Sequence, residues 1–305
     1  MFTLAHLSDV HLAPLPRPRW DQLFGKRLLG YMNWQKRRIQ YSRAFLDPLM
    51  ADLAEQRPDH IAITGDLVNI ALPEEFRLAQ AWLESVGPTD SVTVVPGNHD
   101  AYVRLGRDPG FRRWYEYMQC NAAGHGIAAA AVSGFPFVRR FGDIALIGLS
   151  SAIPTLPLLG SGRLGSAQLA QLGPVLGTLG EEQVCRVILI HHPPLPGMSP
   201  WRHGLHDAHG VQVQLMRHGA ELILHGHAHA DSLASLQTPH GTVFVVGVAA
   251  ASSAFPEAGL RARYNLLTFQ QANSGWRIHM RSRALGENRQ PVETDHGILA
   301  LTPQP

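Results

Sequence analysis

Seven short apolar runs, at residues 2–7, 60–64, 92–95, 144–149, 187–190, 221–224 and 243–248, alternate along this chain with segments of helical period. That alternation is the strongest constraint on its fold. Runs this short and this apolar read as strands buried on both faces. Between them, residues 44–56, 73–86, 166–179 and 207–218 carry the spacing and starting residues of helices. The pattern predicts an α/β chain. Two further runs, 264–270 and 276–283, flank Ala272-Asn273-Ser274-Gly275 and predict a closing antiparallel hairpin. Residues 1–284 are expected to form one domain, with 285–305 as an irregular, polar tail.

The residues that follow the strands narrow the reading further. The first run ends in Ser8-Asp9-Val10-His11, the second in Thr64-Gly65-Asp66 and the third in Pro96-Gly97-Asn98-His99-Asp100. The fifth ends in His191-His192-Pro193-Pro194 and the sixth in His225-Gly226-His227-Ala228-His229. In open α/β sheets ligands bind beyond the carboxyl ends of the strands. Five such ends bearing Asp, Asn and His therefore converge on one site. Nine of the chain's 17 histidines lie between His191 and His229, a density that a solvated surface does not require. Two aspartates, an asparagine and four imidazoles exceed the needs of one tetrahedral ion and suit two divalent ions. Mixed nitrogen and oxygen donors favour Mn, Fe or Zn over Mg or Ca. Singly, Asp9, Asp66 or Gly97-Asn98 would read as ordinary turn residues; jointly they do not. His6, His60, His125, His218, His240, His279 and His296 lack this context and read as ordinary core or surface residues. His203, His206 and His209 are placed near the mouth, with substrate contact and solvated loop left even.

The series Asp9-x-His11, Gly65-Asp66, Gly97-Asn98-His99-Asp100, His191 and Gly226-His227-x-His229 resembles the full signature of calcineurin-like metallophosphoesterases. In length and spacing the chain is similar to bacterial members called cyclic-nucleotide phosphodiesterases. The resemblance implies a four-layer αββα sandwich with a binuclear metal centre at the strand ends. By carry-over, Asp9, His11, Asp66 and His229 would hold one ion, and Asp66, Asn98, His191 and His227 the other, with Asp66 bridging. His191 is preferred to His192 because it directly follows the apolar strand. The resemblance further implies phosphodiester or pyrophosphate hydrolysis through a metal-bridging hydroxide, with His99 acting on the leaving oxygen and Asp100 fixing the His99 ring. The alternatives are a membrane-associated enzyme like the UDP-diacylglucosamine pyrophosphohydrolases of lipid A synthesis, a DNA-repair nuclease, or a non-catalytic scaffold of the same fold.

Charge is distributed unevenly. The net charge is +2, but residues 17–43 hold eight basic side chains against Asp21, a net +7, and leave the remaining 278 residues at −5. No nucleic acid is expected as a stable partner. Trp20, Phe24, Leu28 and Met32 recur every four residues, with Leu23, Tyr31 and Trp34 on the same broad side, so part of 20–34 can form one amphipathic helix or two short ones. A basic, aromatic insertion of this kind suits an anionic membrane surface or a lipid-like substrate; the bland alternative is a basic helix with its aromatics buried. Cys120 and Cys185 form no metal or disulfide pattern, and residues 1–12 do not read as a signal peptide. A cytoplasmic protein, peripheral at the inner membrane face if the insertion touches lipid, is expected.

Overall fold

In a computed structural model, which describes residues 1–106, 108–127, 134–272 and 275–300, the chain folds into two six-stranded sheets. The first comprises β1 (Phe2–Leu7), β2 (His60–Ile63), β3 (Val92–Val94), β10 (Arg263–Ala272), β11 (Gly275–Leu285) and β12 (Pro291–Ala300), in the order β12-β11-β10-β1-β2-β3. The second comprises β4 (Phe137–Phe141), β5 (Ile144–Gly148), β6 (Cys185–Leu189), β7 (Leu222–His225), β8 (Ser232–Thr238) and β9 (Gly241–Gly247), in the order β4-β5-β6-β7-β9-β8. The helices are α1 (Lys26–Arg37), α2 (Arg43–Gln56), α3 (Pro73–Val86), α4 (Ser166–Glu181) and α5 (Ala208–His218). The layers run helix, sheet, sheet, helix.

Period-two alternation explains why the second sheet reads as continuous apolar runs. Val187, Leu189, Leu222 and Leu224 enter a core shared with Leu4 and Leu7 of the first sheet. Ile188, Ile190 and Ile223 point the other way, onto Leu172 and Leu176 of α4 and Val211 and Leu215 of α5. Both faces are thus dry, as a central parallel sheet requires. β1-β2-β3 and β5-β6-β7-β9 are parallel, so their carboxyl ends meet at one rim of the sandwich.

Three strands depart from the sequence expectation. β4 carries Arg139 and Arg140 in its centre, and Arg139 is nonetheless buried because its guanidinium donates to the carbonyls of Gln119, Val92 and Glu116. β8 is a half-exposed edge strand without an apolar run. The expected irregular tail at 285–305 is also corrected, since residues 291–300 form β12. Cross-strand charge runs along it while Leu299 enters the core: Glu293 meets Arg281 and Arg283, each at 3.1 Å, and Asp295 meets His279 at 2.8 Å. The expected hairpin strands are β10 and β11; Asn273 and Ser274 of its turn, and residues 301–305 of the tail, lie outside the described residues.

Candidate metal centre

The parallel ladder continues past the strand ends and brings the polar loops together. Asp9 N–H donates to the Gly65 carbonyl at 3.0 Å and His11 N–H to the Asp66 carbonyl at 2.9 Å, so the loops after β1 and β2 run side by side. Across the seam between sheets, Ala251 N–H donates to the Ser8 carbonyl at 2.9 Å and His227 N–H to Asp9 Oδ2 at 2.9 Å. Gly226 is required there because a Cβ would collide with Ser8 Oγ and Asp9 Oδ2; Gly97 is required because a Cβ would collide with Asp66. Asp9, His11, Asp66, His227 and His229 all lie at positive φ, between 40° and 67°. Backbone in that region is costly for residues with a side chain, and its concentration here marks a site held against local preference.

Two groups result. Asp9, His11, Asp66 and His229 present ligand atoms within 4.8 Å of one another, as do Asp66, His191 and His227. Asp66 belongs to both. Asn98 Oδ1 lies 3.1 Å from His191 Nε2, which brings the expected asparagine to the second group. His192 is placed elsewhere: its Nδ1 accepts from Ser151 Oγ at 2.7 Å and its Nε2–H donates to the Gly160 carbonyl at 2.9 Å.

The donor chemistry fits cations. Carbonyls only accept, so Val68 and Thr64 fix protons on Nδ1 of His11 and His191 respectively, at 3.3 and 2.6 Å. Their Nε2 lone pairs then face other ligand atoms: His191 Nε2 is 3.3 Å from Asp66 Oδ2, and His11 Nε2 is 3.3 Å from His229 Nε2. Asp9 Oδ1, fully buried, lies 3.0 Å from His229 Nε2. Imidazole nitrogens turned on one another and on buried carboxylates are what a bound cation would satisfy. Burial opposes charge on His191, yet the Asp66 carboxylate reverses the effect and raises it to about 9. Burial, reinforced by His99, lowers His11 to about 3. Burial would raise the Asp9 carboxyl, but His229 at 3.0 Å more than offsets it and holds it below the ordinary range.

His99 and Asp100 part company. His99 stacks on Tyr102, with centroids 5.3 Å apart, and meets the His11 ring edge-on at 4.9 Å. Its Nδ1–H donates to the Asn69 carbonyl, which therefore does the orienting that the sequence assigned to Asp100. Asp100 instead sits beneath the loops and accepts from the N–H groups of Gly97, Asp66, Leu67 and Val68 at 2.8 to 3.3 Å. Its burial and the nearby Asp66 charge raise it to about 7 although those donors pull the other way. Asn69 is itself fixed by Glu75, which accepts from the N–H groups of Asn69, Ile70 and Leu72 at the start of α3.

Sequence reasoning missed Tyr41, whose hydroxyl lies 2.6 Å from His229 Nδ1, and Tyr102 beneath His99. No spacing signal marks either residue. Tyr41 closes the basic segment and bridges Ser253, so the segment returns to the site that it left after His11. His203 is near the His227 ring, with centroids 6.3 Å apart, while His206 stacks on Trp201 and His209 is exposed on α5. No helix among the described residues is long and apolar enough to cross a membrane.

A family model described as calcineurin-like phosphoesterase matches residues 2–231. Among curated proteins, a glycerophosphodiester phosphodiesterase, GpdQ, of Enterobacter lignolyticus (strain SCF1) is 26% identical over 204 residues, covering 63% of this chain and 57% of that protein. The chain thus spans little more than half of that relative's length. A dimetal phosphatase from Danio rerio has a similar fold, with a TM-score of 0.63 at 15% identity over 97% of this chain and 99% of that one. A purple acid phosphatase from yellow lupin (Lupinus luteus) seeds is similar at a TM-score of 0.54 and 13% identity, over 96% of this chain and 52% of that one.

Proposed function

The chain belongs to the calcineurin-like phosphoesterase family, and we propose that within it this protein is a two-metal hydrolase of a phosphodiester or pyrophosphate bond. The observation that carries the reading is the pair of ligand groups sharing Asp66. Asp9, His11, Asp66 and His229 would hold one ion; Asp66, Asn98, His191 and His227 the other. Held by these residues, two divalent ions, Mn, Fe or Zn by donor type, would supply an acidic water and polarise the phosphoryl oxygens. The protein's own part is positional. Asn69 holds His99 Nδ1–H and so orients the ring, whose Nε2 would, in the doubly protonated form, give a proton to the departing oxygen. Asp100 acts through the backbone, clamping the Asp66 and Gly97 loops against each other. The phosphodiesterase named among the relatives supports a diester.

A specific observation favours an amphiphilic substrate or an anionic membrane face as a second reading. Trp20 is 90% exposed, Phe24 76% and Met32 53%, beside the basic residues of 17–43. Such a surface fits a cytoplasmic enzyme that works on lipid-like phosphoesters at the inner face of a membrane.

The test is elemental analysis of reconstituted protein, together with activity of the Mn-loaded protein on a cyclic nucleotide, a glycerophosphodiester, a phosphomonoester and a UDP-linked lipid. Two ions per chain, and hydrolysis of a diester or the UDP-lipid in preference to the monoester, are expected. Occupancy limited to one ion removes the bridging role from Asp66, and a chain that takes up no ion on reconstitution and is inert on all four returns the scaffold reading.

A further inference from the structure

Lys26 is a buried cation whose partners are all neutral. It is 8% exposed. Its ammonium donates to Thr155 Oγ1 at 2.6 Å and to the Leu159 carbonyl at 3.2 Å, and lies 4.2 Å from the Tyr102 ring centroid. The hydroxyl and the carbonyl take two of its three N–H donors, and among the described residues no carboxylate pairs with its charge, which is costly in a buried position. The helix aggravates the imbalance. Lys26 is the first residue of α1, where the helix dipole is already positive, the first turn holds no acidic residue, and Gly25 offers no side-chain cap. Charge and uncapped N–H groups at one helix end together make a receptor for an anion.

Its place says which anion. Tyr102, under the ammonium, is the ring on which His99 stacks, so Lys26 lies one ring away from the group that serves the leaving oxygen. On the other side, residues 155–160 run on to Gly160, where a Cβ would lie 3.6 Å from both Asn98 Nδ2 and His227 Cε1. Lys26 therefore joins the two walls of the mouth on the leaving-group side. We propose that Lys26 and the first turn of α1 bind an anionic group on the leaving portion of the substrate, so that the bond this site favours is a pyrophosphate, whose leaving group is itself a phosphate. The inference rests on the hydrolase reading above. In that reaction water oxygen bonds to one phosphorus, the bridging P–O bond breaks, and its electron pair stays on the departing phosphate. One water proton goes to that oxygen or to solvent and the other to solvent. Lys26 offsets the charge that remains on the departing group.

Binding to the Mn-loaded protein of two probes that carry P–C bonds at the positions of cleavage tests this without turnover: α,β-methylene-ADP, which carries the extra anionic group, and the phosphinate isostere of AMP methyl ester, with carbon in place of both ester oxygens, which does not. The parent should prefer the diphosphonate by about 10- to 100-fold, the worth of a charge-assisted hydrogen bond. Lys26→Met should remove that preference while changing phosphinate affinity by less than about twofold, and Lys26→Arg should keep it. A Lys26→Met protein that melts like the parent and retains the preference, or that loses both probes equally, overturns the proposal. Should Lys26→Met not fold, the parent alone decides. Burial lowers Lys26 to about 8, and the groups that face it are Tyr102, which burial raises, Thr155, the Leu159 carbonyl and, farther off, Asp66; Arg27, next in α1, stays charged. The preference should fade between about pH 7 and pH 10 as the ammonium loses its proton, and persistence to pH 10 overturns the proposal. A chain with this preference that hydrolyses nothing supports the anion site and breaks the hydrolase reading.

Discussion

The loops at the strand ends and the basic segment 17–43 meet at one rim but are built on opposite terms. In the loops, Asp9, Asp66, Asp100 and His191 are buried, their backbones are strained to positive φ or clamped by carboxylates, and neighbouring loops bond each other directly. In the segment, the four-residue stripe of Trp20, Phe24, Leu28 and Met32 faces outward. Leu23 is buried, and Tyr31 and Trp34 pack with it against Ile70 and Leu72, so the one broad apolar side expected from the sequence is in fact two faces. The segment folds as a 3-10 turn at Trp20–Gln22 followed by α1. The difference teaches that burial dictates position where a core is close, whereas an exposed stripe leaves the side chains to answer to whatever the rim meets.

The contrast can be attacked from both sides. The largest effect is expected in the loops: His99→Ala should slow hydrolysis by about 10²- to 10⁴-fold on a substrate with a poor leaving group, with metal content and melting temperature unchanged. Loss of an ion, or an equal deficit on an activated aryl ester, would show that His99 serves some other purpose. Where segment and loops touch, Tyr41→Phe removes the oxygen beside His229 Nδ1 and should weaken metal retention by about 10- to 100-fold in chelator competition. Retention equal to the parent's would mean that the segment supports nothing at the site. The smallest effect belongs to the outer stripe: Trp20→Ser should change folding stability by no more than about 0.5 kcal/mol in denaturant titration. A larger loss would mean that Trp20 packs on a surface and would erase the contrast.

Legibility follows the same divide. That Asp9, His11, Asp66, Asn98, His191, His227 and His229 come together could be read because each follows a strand that the apolar core compels, and parallel strands deliver their ends to one rim. Asp100 stands in that same motif, yet its role was misread. Sequence shows that it adjoins His99 but not that its carboxylate turns down onto four backbone N–H groups while the Asn69 carbonyl takes the ring. Lys26 and Tyr41 were visible only as members of a basic stretch; their partners, Thr155, Leu159 and His229, are more than 100 residues away in the chain. β8 and β12 escaped because edge strands can be held by cross-strand polar pairs, which leave no apolar period to find.

The strand order β12-β11-β10-β1-β2-β3 also sets a timetable. β1 ends at the first ligands and pairs with β2 on one edge, but its other edge is completed by β10, in the register Phe2 to Phe269 through His6 to Asn265. A chain made from its amino terminus therefore carries β1 half-paired until residues 263–272 have been synthesised, an interval on the order of ten seconds or more. Over that time an apolar strand edge stands open to other nascent chains. All seven candidate ligands have been made by then, and β10 and β11, which supply none of them, determine when the sheet beneath Asp9 and His11 is closed.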